Sequence, residues 1–437
     1  MTEPVWLWQE GVIEPILAGT LSRNEFGQGR FSYDKAFVEG TKNHALDPVQ
    51  LRNFSYRLPV RIPATFRNGI PAIIADAGPD SWGRRVLEQD LGYVPDPLEA
   101  LVMVVDDGAG NLALGNLSEK SPVVELDLAD LAEAILRRQE GASIREMRLL
   151  ELLSPSTALG GAKPKATVFR DGFPWIAKFL ERGDPPCSPF YEASALRMAG
   201  RLGLSASVVA VEKLSQGRVV LMVKRFDRMP QPGGLSRLGY ASALTVMGAQ
   251  GETLGEYRSY LQLAKNLKSW IKNPDVLARN LQELWRRIAF NALICNIDDH
   301  PRNHALLQSN GQWSLSPAFD INPTYIPRER AALAMPYLRR PDGKVTALIC
   351  AKHLVHAAPL YGLEAEQAYA ELLLMADRIL AEWRDVLSEL EAPNVVHTDL
   401  VPMIDWTSRL RNEALGMSAE ERRPPPVRAA ARWHWAP

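Results

Sequence analysis

Hydrophobic residues alternate with polar ones over short stretches of the first half of the chain and recur with a helical period in much of the second half. Residues 167–179 predict a β-hairpin, because two apolar runs flank Asp171-Gly172, a dipeptide that favours a tight turn. Residues 191–202 predict an amphipathic helix that ends at Gly203. Two more strands are predicted, over residues 208–214 and 218–223.

The second half of the chain predicts helices. Asn273-Pro274 is typical of a helix start, since asparagine caps the first amides and proline fits the first turn, and the helix should run to about Cys295. Helices are also predicted over residues 364–390 and, earlier, over 127–153. A β-rich first half followed by a helical second half predicts an α+β protein with two lobes.

Composition excludes several classes of protein. The formal charge is −1, from 50 basic and 51 acidic residues, which argues against a nucleic-acid coat or a polybasic membrane binder. The three cysteines form no CxxC pair, so neither a zinc site nor a disulfide framework is expected. The first residues do not resemble a signal peptide, and no apolar run is long enough to span a membrane. We therefore expect a cytoplasmic protein.

The densest cluster of polar chemistry lies at residues 296–303, where a strongly apolar helix ends. Asp298 and Asn303 have the spacing with which kinase catalytic loops place a proton-accepting carboxylate beside a metal-binding amide. An ordinary polar turn at a helix end is a second interpretation. A metallohydrolase site built from Asp298, Asp299 and His300 is a third, although no HxH or HExxH motif accompanies it.

Four further features follow the order found in kinases. Asp320, after a predicted apolar β-hairpin, suits a second magnesium ligand. Lys178 lies in an apolar strand, where a charge calls for a partner, and Glu192 on the next helix is the natural one. The glycine pair within residues 160–165 lets a backbone approach phosphate, and residues 221–228 lie where kinases bind adenine. Each feature is weak alone, but their order strengthens all of them.

With these motifs the sequence resembles the HipA-like serine/threonine kinases, the toxins of bacterial type II toxin–antitoxin modules. The motifs that carry the resemblance are Gly160–Lys165, Ile176–Phe179, Val223–Arg228, Asp298–Asn303 and Ser316–Asp320, with Gly29–Asp34 and Gly108–Leu112 for the family's extra N-terminal subdomain. The resemblance implies a two-lobed kinase-like fold with a β-rich N-terminal lobe, that extra subdomain and an all-helical C-terminal lobe. The implied domains are residues 1–115, 116–230 and 231–415, followed by a loosely held tail at 416–437.

The resemblance also implies roles for individual residues. Asp298 would be the catalytic aspartate, Asn303 and Asp320 would hold Mg²⁺, and Lys178 would contact the ATP phosphates with Glu192 as its ion-pair partner. The remaining ATP-binding positions would be Gly160, Gly161, Ala162, Lys163, Pro164, Lys165, Lys224, Arg225, Phe226, His300, Arg302 and Phe319.

The implied partners are a small helix-turn-helix antitoxin of HipB type and a protein substrate, such as an aminoacyl-tRNA synthetase or another translation component. DNA would be contacted only through the antitoxin. The chain departs from the family at Ala158, where a serine often undergoes autophosphorylation, so Thr157 and then Ser156 are the substitute acceptors. It departs again at Asp299, which replaces a glycine and is expected to add negative charge near the metal.

Two other functions stay open at this stage. The chain could be a non-enzymatic kinase-like co-repressor scaffold, although Lys178, Asp298, Asn303 and Asp320 are all intact. It could also be a phosphotransferase that acts on a small molecule or a lipid, because the acceptor pocket cannot be identified from sequence.

Overall fold

The computed structural model describes residues 2–79, 81–103, 107–119, 127–139, 163–248, 257–323 and 331–425. Contacts divide the chain into two units, each built from separate stretches. Unit 1 comprises Met1–Pro189, Ser207–Gly251 and Ala305–Pro317, and unit 2 comprises Phe190–Ala206, Glu252–His304 and Ala318–Pro437. The domain bounds from the sequence stay a prediction.

The N-terminal part of unit 1 is a five-stranded antiparallel sheet with short helices. The strands are β1 (Thr2–Trp8), β2 (Pro15–Arg23), β3 (Gly29–Tyr33), β4 (Val60–Ile62) and β5 (Leu112–Leu114), and the helices are α1 (Lys35–Glu39), α2 (Ala72–Ala75), α3 (Ser81–Leu91) and α4 (Pro97–Met103). The strand order is β4-β3-β2-β1-β5. Alternate side chains such as Val5, Leu21 and Phe31 are fully buried, as expected for a sheet with one covered face.

A second antiparallel sheet in unit 1 carries the predicted strand lysine. Its strands are β6 (Lys165–Arg170), β7 (Phe173–Lys178), β8 (Val209–Lys213) and β9 (Val219–Lys224), in the order β6-β7-β9-β8. Asp171 and Gly172 have left-handed φ angles of 54° and 71°, as a type I′ turn requires, and Arg170 pairs with Phe173 across them, so the predicted hairpin is confirmed.

One hydrophobic cluster holds helices against this sheet. Trp82 and Val86 of α3 and Ile135 of α5 (Leu128–Gln139) share it with Val168 of β6 and Met222 of β9. All five side chains are at most 5% exposed. The helix predicted over residues 127–153 is thus present as α5, and its later residues lie outside the described ranges.

The remaining strands of unit 1 are short. They are β10 (Arg228–Gln231) and β11 (Gly234–Arg237), which pair with each other, and β12 (Gly239–Ser242), β13 (Ala305–Ser309) and β14 (Gln312–Leu315), which form a three-stranded sheet; α7 (Ala243–Val246) follows β12. The hairpin expected before Asp320 is confirmed as β13–β14, with Leu306 opposite Leu315.

Unit 2 is mainly helical. Its helices are α6 (Ser188–Arg201), α8 (Tyr260–Trp270), α9 (Pro274–Leu293), α10 (Ala351–Ala357), α11 (Ala365–Glu389), α12 (Asn394–Asp399), α13 (Val401–Leu415) and α14 (Ala419–Arg422). The first two residues of α6 belong to unit 1. Asn273 caps α9 by accepting hydrogen bonds from the amides of Asp275 and Val276, as its sequence predicts. The α+β fold class is confirmed.

The expectation of an all-helical C-terminal lobe over residues 231–415 is wrong, because the sheet of β12, β13 and β14 lies within those bounds. Strands β15 (Leu338–Arg339) and β16 (Val345–Thr346) form a hairpin in unit 2. Two-residue strands are too short for an alternating pattern to distinguish them from loops. No helix in the described ranges is long and apolar enough to cross a membrane.

Candidate active site

The candidate catalytic loop begins where α9 ends, and two side chains of α13 hold that end. The indole N–H of Trp406 donates to the carbonyl of Ala292 (2.8 Å), and the Thr407 hydroxyl donates to the carbonyl of Leu293 (2.8 Å). Both carbonyls lie in the last turn, where the helical hydrogen-bond pattern runs out. Cys295 then adopts a left-handed φ of 54°, which terminates the helix. The loop therefore starts from a fixed and buried point.

Backbone hydrogen bonds also fold the loop tightly. The N–H of His300 donates to the carbonyl of Asp298 (3.0 Å), and the N–H of Asn303 donates to the carbonyl of His300 (2.9 Å). Residues Pro301–Asn303 form a 3₁₀ turn. Asp298 is exposed, whereas Asn303 is buried. The carboxylate predicted to be catalytic is thus accessible on a loop with a fixed backbone.

The side-chain amide of Asn303 joins the three residues that the sequence singled out in this region. Its Nδ2 lies 3.2 Å from the carbonyl oxygen of Asp298 and 3.4 Å from the carbonyl oxygen of Asp320, and donates to both. Asp298 and Asp320 are 22 positions apart in sequence, yet one amide group contacts the backbone of each. Sequence spacing alone could not establish this arrangement.

Asp320 is held by the segment before it. The N–H of Ala318 donates to the carbonyl of Ser205 (2.7 Å), and Ala206 and Ala318 form a parallel β-bridge. Asp320 itself has a left-handed φ of 59°, a conformation that aspartate tolerates better than most residues. The backbone thus changes direction at Asp320.

The environment of Asp299 is one that the sequence did not indicate, and its expected effect on the metal stays a prediction. The carboxylate is only 2% exposed. Its Oδ2 accepts hydrogen bonds from the Tyr260 hydroxyl, from Asn291 Nδ2 (2.7 Å) and from His304 Nε2 (2.8 Å). Asp298 is exposed and Asp299 is buried, so the two neighbouring aspartates have opposite environments. Sequence reasoning missed Tyr260, Asn291 and His304, because no local pattern links them to the loop.

The donor set fits a magnesium ion. Asp298, Asn303 and Asp320 offer carboxylate and amide oxygens, and Mg²⁺ usually combines one or two such ligands with water and substrate phosphates. In the part of the chain that the structure describes, no group of three or more His, Cys, Asp or Glu side chains could hold a metal. The metallohydrolase interpretation, which needs Asp298, Asp299 and His300 as ligands, is therefore wrong.

The predicted phosphate-binding lysine lies on β7 of unit 1. Lys178 is half-buried and is opposite Lys165 on β6 and Leu221 on β9. Among the nearby loop residues, Lys163 pairs with Asp184 (3.1 Å). The other expected members of the loop, Gly160, Gly161 and Ala162, lie outside the described residues, as do the acceptor candidates Ser156 and Thr157 and the position Ala158.

The segment predicted to line the adenine pocket has its backbone donors partly engaged. The N–H of Lys224 donates to Val208 (2.9 Å) and that of Arg225 donates to Pro174 (3.2 Å), both at carbonyl oxygens. The ammonium of Lys224 lies 4.3 Å from the ring centre of Phe173. These two amides are therefore already engaged, and the binding of adenine at this segment stays a prediction.

The guanidinium of Arg225 is committed to a buried cluster of charges. It donates to the carboxylates of Asp107 (2.6 Å) and Asp227 (2.8 Å) and to the carbonyl of Gly108 (3.0 Å). Arg228 also donates to Asp227 (2.7 Å). We call these four charged residues the Arg225 cluster; each is at most 5% exposed. The cluster joins the loop before β5 to the end of β9, which the sequence motif did not indicate.

The remaining predicted site residues are placed as follows. Glu192 is buried on α6. Its role as the partner of Lys178 stays a prediction. Arg302 is exposed, Phe319 is half-buried, and the Nδ1 atom of His300 is buried with no hydrogen-bond partner among the described residues. Their expected contacts with nucleotide also stay predictions.

Comparison with known proteins bears on this site. A family model described as the HipA-like C-terminal domain matches residues 157–383, and one described as the HipA N-terminal domain matches residues 5–115. A solved chain from the Shewanella oneidensis MR-1 toxin–antitoxin complex of HipA, HipB and operator DNA superposes with a TM-score of 0.69. It is 19% identical, and the match covers 95% of this chain and 99% of that one.

A second solved structure is described as the Helicobacter pylori proinflammatory kinase CtkA, with a TM-score of 0.43 and 15% identity. That match covers 57% of this chain and 92% of the other. Comparison with curated proteins gave no match.

The fold and the matched family models define a protein class: an α+β protein that combines a HipA N-terminal domain with a HipA-like C-terminal domain. The C-terminal family model alone covers more than half of the chain. The chain belongs to the HipA family.

Proposed function

We propose that this chain is a serine/threonine protein kinase of HipA type, which uses ATP and Mg²⁺ and acts as a toxin in the cytoplasm. One observation carries the proposal: the Asn303 amide contacts the backbone of Asp298 and of Asp320. Kinases need one aspartate at the acceptor hydroxyl and an asparagine and an aspartate at the metal, and these three residues supply that set.

Asp298 acts on the acceptor. Its exposed carboxylate accepts a hydrogen bond from the substrate hydroxyl, orients it and takes its proton as the phosphoryl group is transferred. The tightly hydrogen-bonded backbone from Asp298 to Asn303 keeps that carboxylate in place without reorganisation during the reaction.

Asn303 and Asp320 act on the phosphates through the metal. Their side-chain oxygens would hold Mg²⁺, which when bound neutralises charge on the transferred group. Lys178 adds positive charge at the phosphates, with Glu192 as its orienting partner and Gly160–Lys165 as the covering loop. The chain's own contribution is positioning and electrostatic stabilisation, since phosphoryl transfer needs little covalent chemistry from the protein.

The partner proposal rests on family membership. The Shewanella HipA was solved together with HipB and operator DNA. We propose that this chain binds a small helix-turn-helix antitoxin of HipB type and reaches DNA only through it. A formal charge of −1 agrees with indirect contact, since proteins that bind the DNA backbone themselves are usually basic. The proposed substrate is a translation component such as an aminoacyl-tRNA synthetase.

The test is transfer of labelled γ-phosphate from Mg²⁺-ATP, with the purified chain alone and with cell lysate. Asp298→Ala should abolish transfer and leave ATP binding nearly unchanged, because Asp298 acts on the acceptor. Lys178→Ala should weaken both, because the lysine contacts the phosphates. Asp377→Asn is a matched control: Asp377 is half-exposed on α11, where it pairs with Arg411, and it should transfer phosphate as the parent does.

The outcomes separate the functions that the sequence left open. Labelling of the chain or of a lysate protein, lost in Asp298→Ala, supports the kinase, and mapping of the labelled site tests Thr157 and Ser156. ATP binding without protein labelling favours a non-protein acceptor or a scaffold. Equal transfer by Asp298→Ala and the parent protein refutes the assignment of Asp298.

A further inference from the structure

The buried carboxylate of Asp299 collects donors from three separate segments of unit 2. Tyr260 is the first residue of α8, Asn291 lies in the last turn of α9, and His304 follows the 3₁₀ turn. All three donate to the same oxygen, Oδ2. A buried carboxylate needs such donors, because an unpaired buried charge is strongly destabilising. The three donors therefore fix where Asp299 lies.

The donors are themselves held in place. Tyr260 is fully buried, and its N–H donates to the carbonyl of Pro336 (2.9 Å). Burial and the neighbouring Asp299 raise the pKa of Tyr260, so its hydroxyl stays protonated as a donor. Asn296 donates to the Oδ1 of Asn291 (3.1 Å), which orients that amide with its Nδ2 toward Asp299.

His304 completes the arrangement. Its ring packs edge-on against Tyr260, with ring centres 5.7 Å apart. Among the described residues, its Nδ1 is buried without a hydrogen-bond partner, whereas its Nε2 lies 2.8 Å from the Oδ2 of Asp299, a carboxylate oxygen that accepts. Nε2 of His304 is therefore the donor to Asp299.

The position of this network in the chain gives it a consequence for the loop. Asp299 is the residue directly after Asp298, and His304 is the residue directly after Asn303. The bond between Asp299 and His304 therefore closes the loop across its two ends, behind the two side chains proposed to act on acceptor and metal. A displacement of Asp299 would move Asp298 through the shared peptide unit.

We propose that Tyr260, Asn291 and His304 are positioning residues that act through Asp299 to hold Asp298 and Asn303 in the geometry for phosphoryl transfer. The inference deepens the proposed function and rests on it. It assigns a reaction role to residues that contact neither nucleotide nor acceptor in the proposed mechanism, and it links the rate of transfer to a single buried carboxylate oxygen.

The sharpest test compares two tyrosine-to-phenylalanine variants. Tyr260→Phe removes one donor to Asp299 and keeps the ring. Tyr361→Phe is the matched control: Tyr361 is also fully buried in unit 2, and its hydroxyl donates to the carbonyl of Tyr337 (2.9 Å), outside the loop. Each variant loses one buried hydrogen bond, so a merely structural role predicts similar effects for both.

Two measurements decide between these roles. We expect kcat to fall by about tenfold in Tyr260→Phe, the scale of a lost hydrogen bond to a charged group, and to stay near the parent value in Tyr361→Phe. In protein free of nucleotide and metal, the amides of His300 and Asn303 should exchange with solvent faster in Tyr260→Phe alone. Equal kcat and equal exchange in the two variants would overturn the inference.

A rescue experiment tests the donor role of His304. His304→Gln keeps a side-chain N–H donor and should retain most of the rate, whereas His304→Leu removes the donor and should not. Similar losses in both variants contradict the donor role. If the parent chain transfers no phosphate, the proposed function fails, but the exchange comparison still tests whether the network holds the loop.

Discussion

Replacing Arg225 with alanine tests the Arg225 cluster, which contains two cations and two anions in the interior of unit 1. The substitution removes hydrogen bonds to Asp107 and Asp227 and to the carbonyl of Gly108. Both carboxylates stay buried, and Arg228 is the cation of the cluster that still contacts them. Because an uncompensated buried charge cannot recover its hydration, the variant should be much less stable than the parent.

The size of the loss follows from this geometry. Removing one partner of a buried ion pair costs about 3–5 kcal/mol. Arg228 keeps its contacts with Asp227 (2.7 Å) and Asp107 (3.6 Å), so we expect a loss toward the lower end, about 3 kcal/mol. Arg170→Ala is the control: Arg170 ends β6 in the same sheet, pairs with Glu212 (2.6 Å) and is 43% exposed, so its removal should cost at most about 1 kcal/mol.

Hydrogen exchange is the appropriate assay, because the two units need not unfold together. The amide of Gly110, which donates to the Asp227 carboxylate (2.8 Å), and the amides of β6 and β9 report on unit 1 directly. Their exchange should quicken in Arg225→Ala and change little in Arg170→Ala. Equal losses of at most about 1 kcal/mol in both variants would refute the reasoning.

The pH dependence of stability gives a second test of Arg225→Ala. Burial alone would raise the pKa of Asp227, but the guanidinium groups of Arg225 and Arg228 hold it well below its usual range. A carboxyl group with a lowered pKa contributes its stability above the unfolded-chain pKa of about 3.9, and loses it as the pH falls further. Parent and Arg225→Ala should therefore differ most near neutral pH and converge below about pH 4. A constant difference across that range would contradict the assignment.

Two further predictions concern single positions. Gly110 has a φ of 79°, and a Cβ added there would lie 2.6 Å from the Cβ of Tyr240. Gly172 has a similar φ of 71°, but a Cβ added there would meet no described atom within 4 Å. Gly110→Ala should therefore lower the melting temperature more than Gly172→Ala, and equal shifts in a thermal scan would refute the clash. Burial raises the pKa of the Cys350 thiol to about 11, so alkylation at pH 8, followed by mass spectrometry, should be about a hundredfold slower in the folded chain than in urea. Equal rates would contradict that shift.

Local sequence determined the elements whose signals are local. Asp171-Gly172 specified the hairpin turn, because a type I′ turn needs two left-handed residues and this dipeptide adopts them readily. Asn273-Pro274 specified the start of α9, because the cap depends only on adjacent residues. The order of Lys178, Asp298, Asn303 and Asp320 is also visible in the sequence alone. That order indicated the family that the comparison confirms.

Only the tertiary structure decided which neighbouring groups share an environment. Nothing local distinguishes Asp298 from Asp299, yet one is exposed and the other is buried under three donors. Those donors come from positions 260, 291 and 304, and the partner of Arg225 comes from position 107. Contacts between such distant residues depend on how helices and sheets pack, and a single sequence carries no local signal for packing. The sequence therefore indicates which side chains are candidates for the reaction. Tertiary packing determines which of those side chains are exposed and which are buried and hydrogen-bonded.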